Sequence, residues 1–123
     1  MPVETKIYAL LIANATINRK VNTRVFPIVI PQDSELPAIT YQRISAQKIT
    51  SLSGYSNLEN SHILINSWAT KYETVKALAE DIHSVMDNST GFKTVLSNEL
   101  DAFDPEAGLW AVSQDFSCWD QEV

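Results

Sequence analysis

The chain of 123 residues predicts an α+β fold in one domain, a mainly antiparallel sheet with two helices packed on one face. Two observations carry that expectation. A β-rich run, Ser61 to Trp68, feeds straight into an amphipathic helix, and two further β-rich runs near the C-terminus are joined by a short connection holding Pro105 and Gly108. Strands linked as hairpins, with helices gathered on one side, bury one face of a sheet under one layer of helix.

Taken in order, residues 3 to 17 predict a first helix. Val3, Ile7, Leu10, Leu11 and Ile17 mark its apolar face, with Ile12 and Ala15 beside it. Pro2 suits the helix start, where its missing amide is harmless. Asn18-Arg19-Lys20 would close the helix with cations at the negative end of its dipole. Thr23 to Ile30 (TRVFPIVI) reads as a strand interrupted by Pro27, hence an edge strand or one that ends at Phe26, because proline cannot donate to a ladder. Pro31 to Pro37 is a loop on turn chemistry.

Ala38 to Ser45 predicts a second strand, with Ile39, Tyr41 and Arg43 on one side and Ala38, Thr40, Gln42 and Ile44 on the other. The polar stretch from about 46 to 60 reads as a long loop, and long loops in small domains usually carry function. The strand Ser61 to Trp68 is followed by Thr70-Lys71-Tyr72-Glu73, which has the spacing of a capping box with Thr70 as N-cap. Tyr72, Val75, Leu78, Ala79, Ile82, Val85 and Met86 then recur at three- and four-residue steps, one stripe of a helix. Asn88-Ser89-Thr90-Gly91 supplies its stop. Phe92 to Phe103 and Leu109 to Trp119 form a hairpin around Asp104-Pro105-Glu106-Ala107-Gly108. Its second strand alternates Trp110, Val112, Gln114, Phe116 and Cys118 against Leu109, Ala111, Ser113, Asp115 and Ser117. Residues from about 120 to 123 read as a flexible tail.

Hydrophobic content of 45% and charged content of 20% fit one globular core, and the length leaves no room for a second. A net charge of -6 argues against a domain that grips nucleic acid through phosphates. It is compatible with a surface that DNA slides past. The lone cysteine, Cys118, cannot form an internal disulfide. Met1-Pro2-Val3-Glu4 lacks the basic start of a signal peptide, and no apolar run approaches the ~20 residues of a membrane span. The expectation is a soluble protein made on the cytoplasmic side, without membrane contact.

Motifs for chemistry are sparse. His62 and His83 have no partner at metal-ligand spacing, and Asp81 and His83, two apart on a helix, point in different directions. There is no Gly-x-Ser-x-Gly elbow, and the three glycines are too far apart for a phosphate loop. Cys118 reads as a small packing residue. The acids Glu99, Asp101, Asp104, Glu106 and Asp115 lack the calcium-loop pattern, so a solvated hairpin tip is the plainer account, and an acidic face would also repel DNA. Trp68 and Trp110 sit at expected core positions, and no basic residues interleave with them to make a base-stacking groove. No catalytic site, metal site or cofactor is expected. On composition alone the chain is an acidic interaction or structural domain.

Several pieces in order resemble one family, the tail completion (tail terminator, head-to-tail joining) proteins of long-tailed phages. Thr23-Arg24-Val25-Phe26-Pro27 is similar to its Arg-Val-aromatic-Pro strand. Leu36-Pro37-Ala38-Ile39-Thr40-Tyr41 resembles its Pro-aromatic-Ile-x-Tyr segment. Ile63-Leu64-Ile65-Asn66-Ser67-Trp68-Ala69 and Tyr72 lead into its long helix, and Asp115-Phe116-Ser117-Cys118-Trp119 is similar to its closing Asp-Phe-x-x-Trp. Ala38 stands where an aromatic is usual, Ala111 where a basic residue is common, and the first helix is less typical around Asn14-Ala15-Thr16. The resemblance implies a virion structural protein without catalysis. Its subunits would form a hexameric ring at the head-proximal end of the tail, assembled in the host cytoplasm. The ring would cap the tail tube protein, meet the head-completion or connector protein, and let DNA pass without specific binding. A closed ring needs heterologous contacts. Lys48, Ile49, Leu52, Tyr55 and Leu58 in the expected loop are candidates for that interface, and Glu99, Asp101, Asp104 and Glu106 for an acidic channel or hairpin surface. The alternative from another class is an acidic monomeric module that occupies a basic partner.

Overall fold

A computed structural model describes residues 3–49, 58–89 and 92–121. The elements are helices α1 (Val3–Ala13) and α2 (Ala15–Val21), strands β1 (Val25–Pro27), β2 (Ala38–Ile49) and β3 (Leu58–Ala69), helix α3 (Tyr72–Asp87), and strands β4 (Phe92–Asp104) and β5 (Leu109–Gln121). The strands form one sheet in the order β1-β2-β3-β5-β4. Three of the four pairings are antiparallel, and β1 runs parallel to β2. The expected α+β class and its mainly antiparallel sheet are what the molecule has. Among the described residues, no helix is long and apolar enough to cross a membrane.

Alternation in β3 decides where the helices go. Ser61, Ile63, Ile65, Ser67 and Ala69 are buried, while His62, Leu64, Asn66 and Trp68 are half-buried on the opposite face. In register with the buried set lie Val112, Gln114, Phe116 and Cys118 of β5, all fully buried. Across them lies the stripe of α3, with Val75, Leu78, Ala79, Ile82 and Met86 buried as the spacing predicts, while Tyr72 at its start is exposed and Val85 is half-buried. The helical side of α1 and α2 completes this core through Val3, Ile7, Leu11, Ile17 and Val21. Each such side chain contributes roughly 1.5–3 kcal/mol when removed from water.

The first helix is broken. Asn14 is the N-cap of α2, its Oδ1 accepting from the Ile17 amide at 3.1 Å. Asn18 donates its side-chain amide to the Ile12 carbonyl at 3.1 Å, tying the two segments together. Asparagine competes for backbone groups inside a helix and favours a cap, so the continuous helix over 3–17 is two helices, and Asn18-Arg19-Lys20 lies inside the second. The capping box at Thr70 does not form either: Lys71 is the N-cap of α3, in extended backbone, without a side-chain cap bond. The chain keeps β3 going to Ala69, and Tyr72 at the first helical position turns to contacts with the hairpin described below. The stop at Asn88 is as expected, its side-chain amide donating to the Ser84 carbonyl at 2.8 Å.

Of the stretch expected as a loop from about 46 to 60, residues 46–49 and 58–60 are strand, and 50–57 lie outside the described residues. β2 continues to Ile49 and β3 opens at Leu58, with Lys48 paired to Glu59 and Ile49 to Leu58. Once an antiparallel ladder has started, each further residue pair satisfies backbone groups, and Gln, Ser and Asn are tolerated where they face water. Asp120 and Gln121, expected in a flexible tail, belong to β5 and pair with Phe92 and Leu58. Trp68, expected in the core, lies on the helix-free face and donates its indole N–H to Thr40 Oγ1 at 3.0 Å.

These two caps give opposite expectations on mutation. Asn14→Ala should lower stability by about 1 kcal/mol, as lost caps do, whereas Thr70→Ala should stay within about 0.5 kcal/mol, as exposed substitutions do. Urea unfolding of the two variants beside the parent measures this, and a larger loss at Thr70 would restore the capping box.

Candidate assembly surfaces

The β4–β5 hairpin carries the four expected acids, and its geometry gives each a place. Glu99 and Asp101 lie on the helix side of β4, opposite Gln114 and Val112. Glu99 Oε1 accepts from Gln114 Nε2 at 3.0 Å, and the same amide nitrogen donates to the Ala79 carbonyl of α3 at 3.0 Å. Asp101 accepts from the Tyr72 hydroxyl at 2.8 Å and from Lys76 Nζ at 3.3 Å. Asp104 serves the turn: its Oδ1 accepts from the amide of Glu106 at 3.0 Å, and its carbonyl accepts from Gly108 N at 2.8 Å. Gly108 has φ +67, where a side chain would be strained. Glu106 sits on the exposed turn itself. The structure therefore gathers the four along one hairpin and ties Glu99 and Asp101 back to α3 and β5.

Next to Asp101 is an aromatic cluster that sequence spacing did not single out. Trp110 meets the Tyr72 ring edge-on at 5.1 Å and the Phe103 ring at 4.6 Å between centroids. Tyr72 is 42% exposed and Phe103 47% exposed. Lys76 Nζ stands 5.9 Å from the Tyr72 centroid, a cation–π contact. The available signal was positional: Tyr72 opens the helix, and Phe103 is one residue from the turn, so both fall at the end of the packed layer.

Asp101, Tyr72 and Lys76 shift one another. The phenol and ammonium bonds, the phenol first, hold the Asp101 carboxyl below its ordinary value against partial desolvation. The bond to Asp101 raises the Tyr72 phenol, helped by desolvation, and the same carboxylate raises Lys76. The signs set a window. The depressed Asp101 contributes above its unfolded value and loses that contribution as pH falls through its folded one. Tyr72 and Lys76 contribute below their unfolded values and lose it as pH rises through their folded ones. The contact is complete at neutral pH and weakens toward both extremes.

The candidate interface residues divide. Lys48 and Ile49 end β2 and Leu58 begins β3, at one end of the sheet. Leu52 and Tyr55 lie outside the described residues. Other chemistry is dispersed. His62 Nδ1 is 3.3 Å from Asp115 Oδ1 on the helix-free face, and His83 Nε2 is 3.2 Å from Asp87 Oδ2 one turn along α3. Cys118 is fully buried on the helix side. Among the described residues, no three His, Cys, Asp or Glu side chains gather to hold a metal. An open groove of about 400 Å³ beside β1 is lined by Glu4, Pro27, Ile28, Tyr41, Gln42 and Arg43. Arg43 bridges Glu4 at 2.8 Å there, and burial raises the Tyr41 phenol, with Tyr8 and Glu4 adding to it.

The family described as "Tail completion protein gp17" matches residues 5–120. Among solved structures, a chain from a particle titled "Virion of native gene transfer agent (GTA) particle" has the same fold, with a TM-score of 0.72 at 14% identity, covering 94% of this chain and 92% of that one. No curated protein sequence matches the chain.

The Asp101 contact is directly testable by titration. In Asp101→Asn, the Tyr72 phenol should fall back toward the ordinary tyrosine value, read as ultraviolet phenolate absorbance against pH and compared with a Tyr72→Phe control. Identical titration curves for Asp101→Asn and the parent would remove the hydrogen bond as the cause of the shift.

Proposed function

The chain belongs to the tail completion family, structural proteins of the phage tail rather than enzymes, and from that premise we propose that it caps the finished tail tube. In this role it ends tube polymerisation, joins the tail to the head-completion or connector protein, and performs no catalysis. The family match over residues 5–120 is the observation that carries the reading. The subunits form a hexameric ring by heterologous contacts, each using one patch against a different patch on its neighbour. Lys48, Ile49 and Leu58, at the β2–β3 end of the sheet, together with Leu52 and Tyr55 from the sequence between them, supply part of that contact, and their apolar members are buried on assembly.

The acidic hairpin fits the same role. Glu99, Asp101, Asp104 and Glu106 place negative charge along the β4 strand and its turn, and the whole chain carries a net charge of -6. Like-charge repulsion keeps DNA from adhering to such a surface, so DNA passes the ring without specific binding. The tail tube protein on one side and the connector on the other are the expected partners.

Particles made without this chain should show unjoined heads beside tails of uncontrolled length in negative stain. Complementation with a Leu52→Ala, Tyr55→Ala double variant should leave joined particles sharply reduced. Normal joined particles from the deletion would overturn the terminator role, and full rescue by the double variant would overturn the interface assignment alone.

A further inference from the structure

Besides the short outer edge of β1, the sheet order β1-β2-β3-β5-β4 leaves two strand edges without a described strand beyond them. One is the outer edge of β4 along its 13 residues. The other belongs to β2. The short strand β1 pairs with Ile39, Thr40 and Tyr41, and among the described residues no strand pairs with β2 on that side from Ile44 to Ile49. Edge backbone groups are ready donors and acceptors for another strand.

The two edges match in direction. β2 is antiparallel to β3, β3 to β5, and β5 to β4, so β4 runs antiparallel to β2. A second copy placed alongside without being turned over sets its β2 against the first copy's β4 as an antiparallel pair. The helices of both copies then remain on the same side.

The side chains agree. On β4, Val95 and Leu100 are 58% and 61% exposed, and both lie on the helix-free face, opposite Ser117 and Ser113. On β2, Ile44 is 48% exposed at the bulge between Arg43 and Ser45. Single chains guard edges with proline and outward charge. β4 holds no proline and one lysine, Lys93. Its acids Glu99 and Asp101 are bonded back to Gln114, Tyr72 and Lys76.

We propose that the chain assembles head to tail by pairing the β2 edge, Ile44 to Ile49, of one copy with the β4 edge of a second copy. This rests on the ring reading above and names its contact. A two-fold arrangement that pairs β4 with β4 leaves the β2 edge open in every copy, whereas head-to-tail pairing fills both of these edges in every subunit and generates a ring where the rotation between subunits closes.

The test is cross-linking in assembled particles. The chain carrying Ile44→Cys and Leu100→Cys is supplied as the sole copy, with the buried Cys118 retained, and particles are treated with a short bis-maleimide. Denaturing gels should show a ladder of covalent oligomers rising from the dimer, while each single variant stays monomeric. A second pair on the same two edges, Ser45→Cys with Val95→Cys, serves if the first fails to fold by circular dichroism. Dimers from Leu100→Cys alone would overturn the proposal in favour of two-fold pairing. No ladder from either pair, with a ring visible at the tail end, would overturn the edge contact and leave the ring. Particles with no ring of this chain would overturn both.

Discussion

Everything else in the structure leans on the seam where α3 lies across β3 and β5. Leu78, Ile82 and Met86 on the helix and Ile63, Ile65 and Phe116 on the strands are all fully buried. Two periodicities meet there, three and four along the helix and two along the strands, and each fixes the other. A slip of one residue in β3 would turn His62, Leu64 and Asn66 into the core and Ile63 and Ile65 out of it. Register is therefore set by burial on one face, and the sheet order follows from the register. Gln114 adds a polar pin to the same seam, with one amide nitrogen shared between the Ala79 carbonyl of α3 and Glu99 of β4. Buried polar groups of this kind fix geometry because leaving them unbonded costs about 1–3 kcal/mol each.

That seam also fixes what the hairpin can be. Because α3 starts at Tyr72, its first turn stands over the end of β4, where Asp101 meets both Tyr72 and Lys76. The carboxylate is used locally, and so are Glu99 and Asp104. An acidic cluster in a sequence thus resolves into a turn cap, a strand-to-helix tie and a link to a buried amide, with Glu106 on the turn. Around the hairpin Glu99, Asp101, Asp104, Glu106 and Asp115 outnumber the cations Lys76 and Lys93, so the surface keeps its long-range sign while losing some of its local freedom.

The legible parts of the sequence were those where one physical rule acted alone. The stripe of α3, the alternation of β5 and the turn at Asp104–Gly108 each follow from burial period or turn chemistry, and each is where the pattern puts it. The illegible parts were contests. Asn14 divides an apolar stripe that runs on through it, because a side-chain cap outcompetes helix continuation. Thr70 has cap spacing but loses to the extension of β3. Residues 46–49 and 58–60 look like loop by composition and are strand because ladder extension is cooperative. The parallel β1–β2 pair and the aromatic contact of Phe103 with Trp110 are tertiary facts, and no local pattern carries them. Of the candidate site, the acids were legible as a group, but their partners Tyr72, Lys76 and Gln114 were not.

Among the described residues, the face of the sheet opposite the helices and the sheet's outer edges are different kinds of surface. On the face, polar groups answer each other across strands: Asn60 donates to Ser117 Oγ at 2.8 Å, Ser113 bonds Asn66, His62 meets Asp115, and Trp68 donates to Thr40. Covering these groups with a partner would strip water from bonds already made and add none. The edges are the reverse, since their outward backbone groups have water as a substitute for a strand and exchange it without loss when a strand arrives. Exposed Val95, Leu100 and Ile44 sit beside those groups and gain by burial. In a subunit built this way, association is favoured in the plane of the sheet over stacking on its face, which points toward lateral assembly.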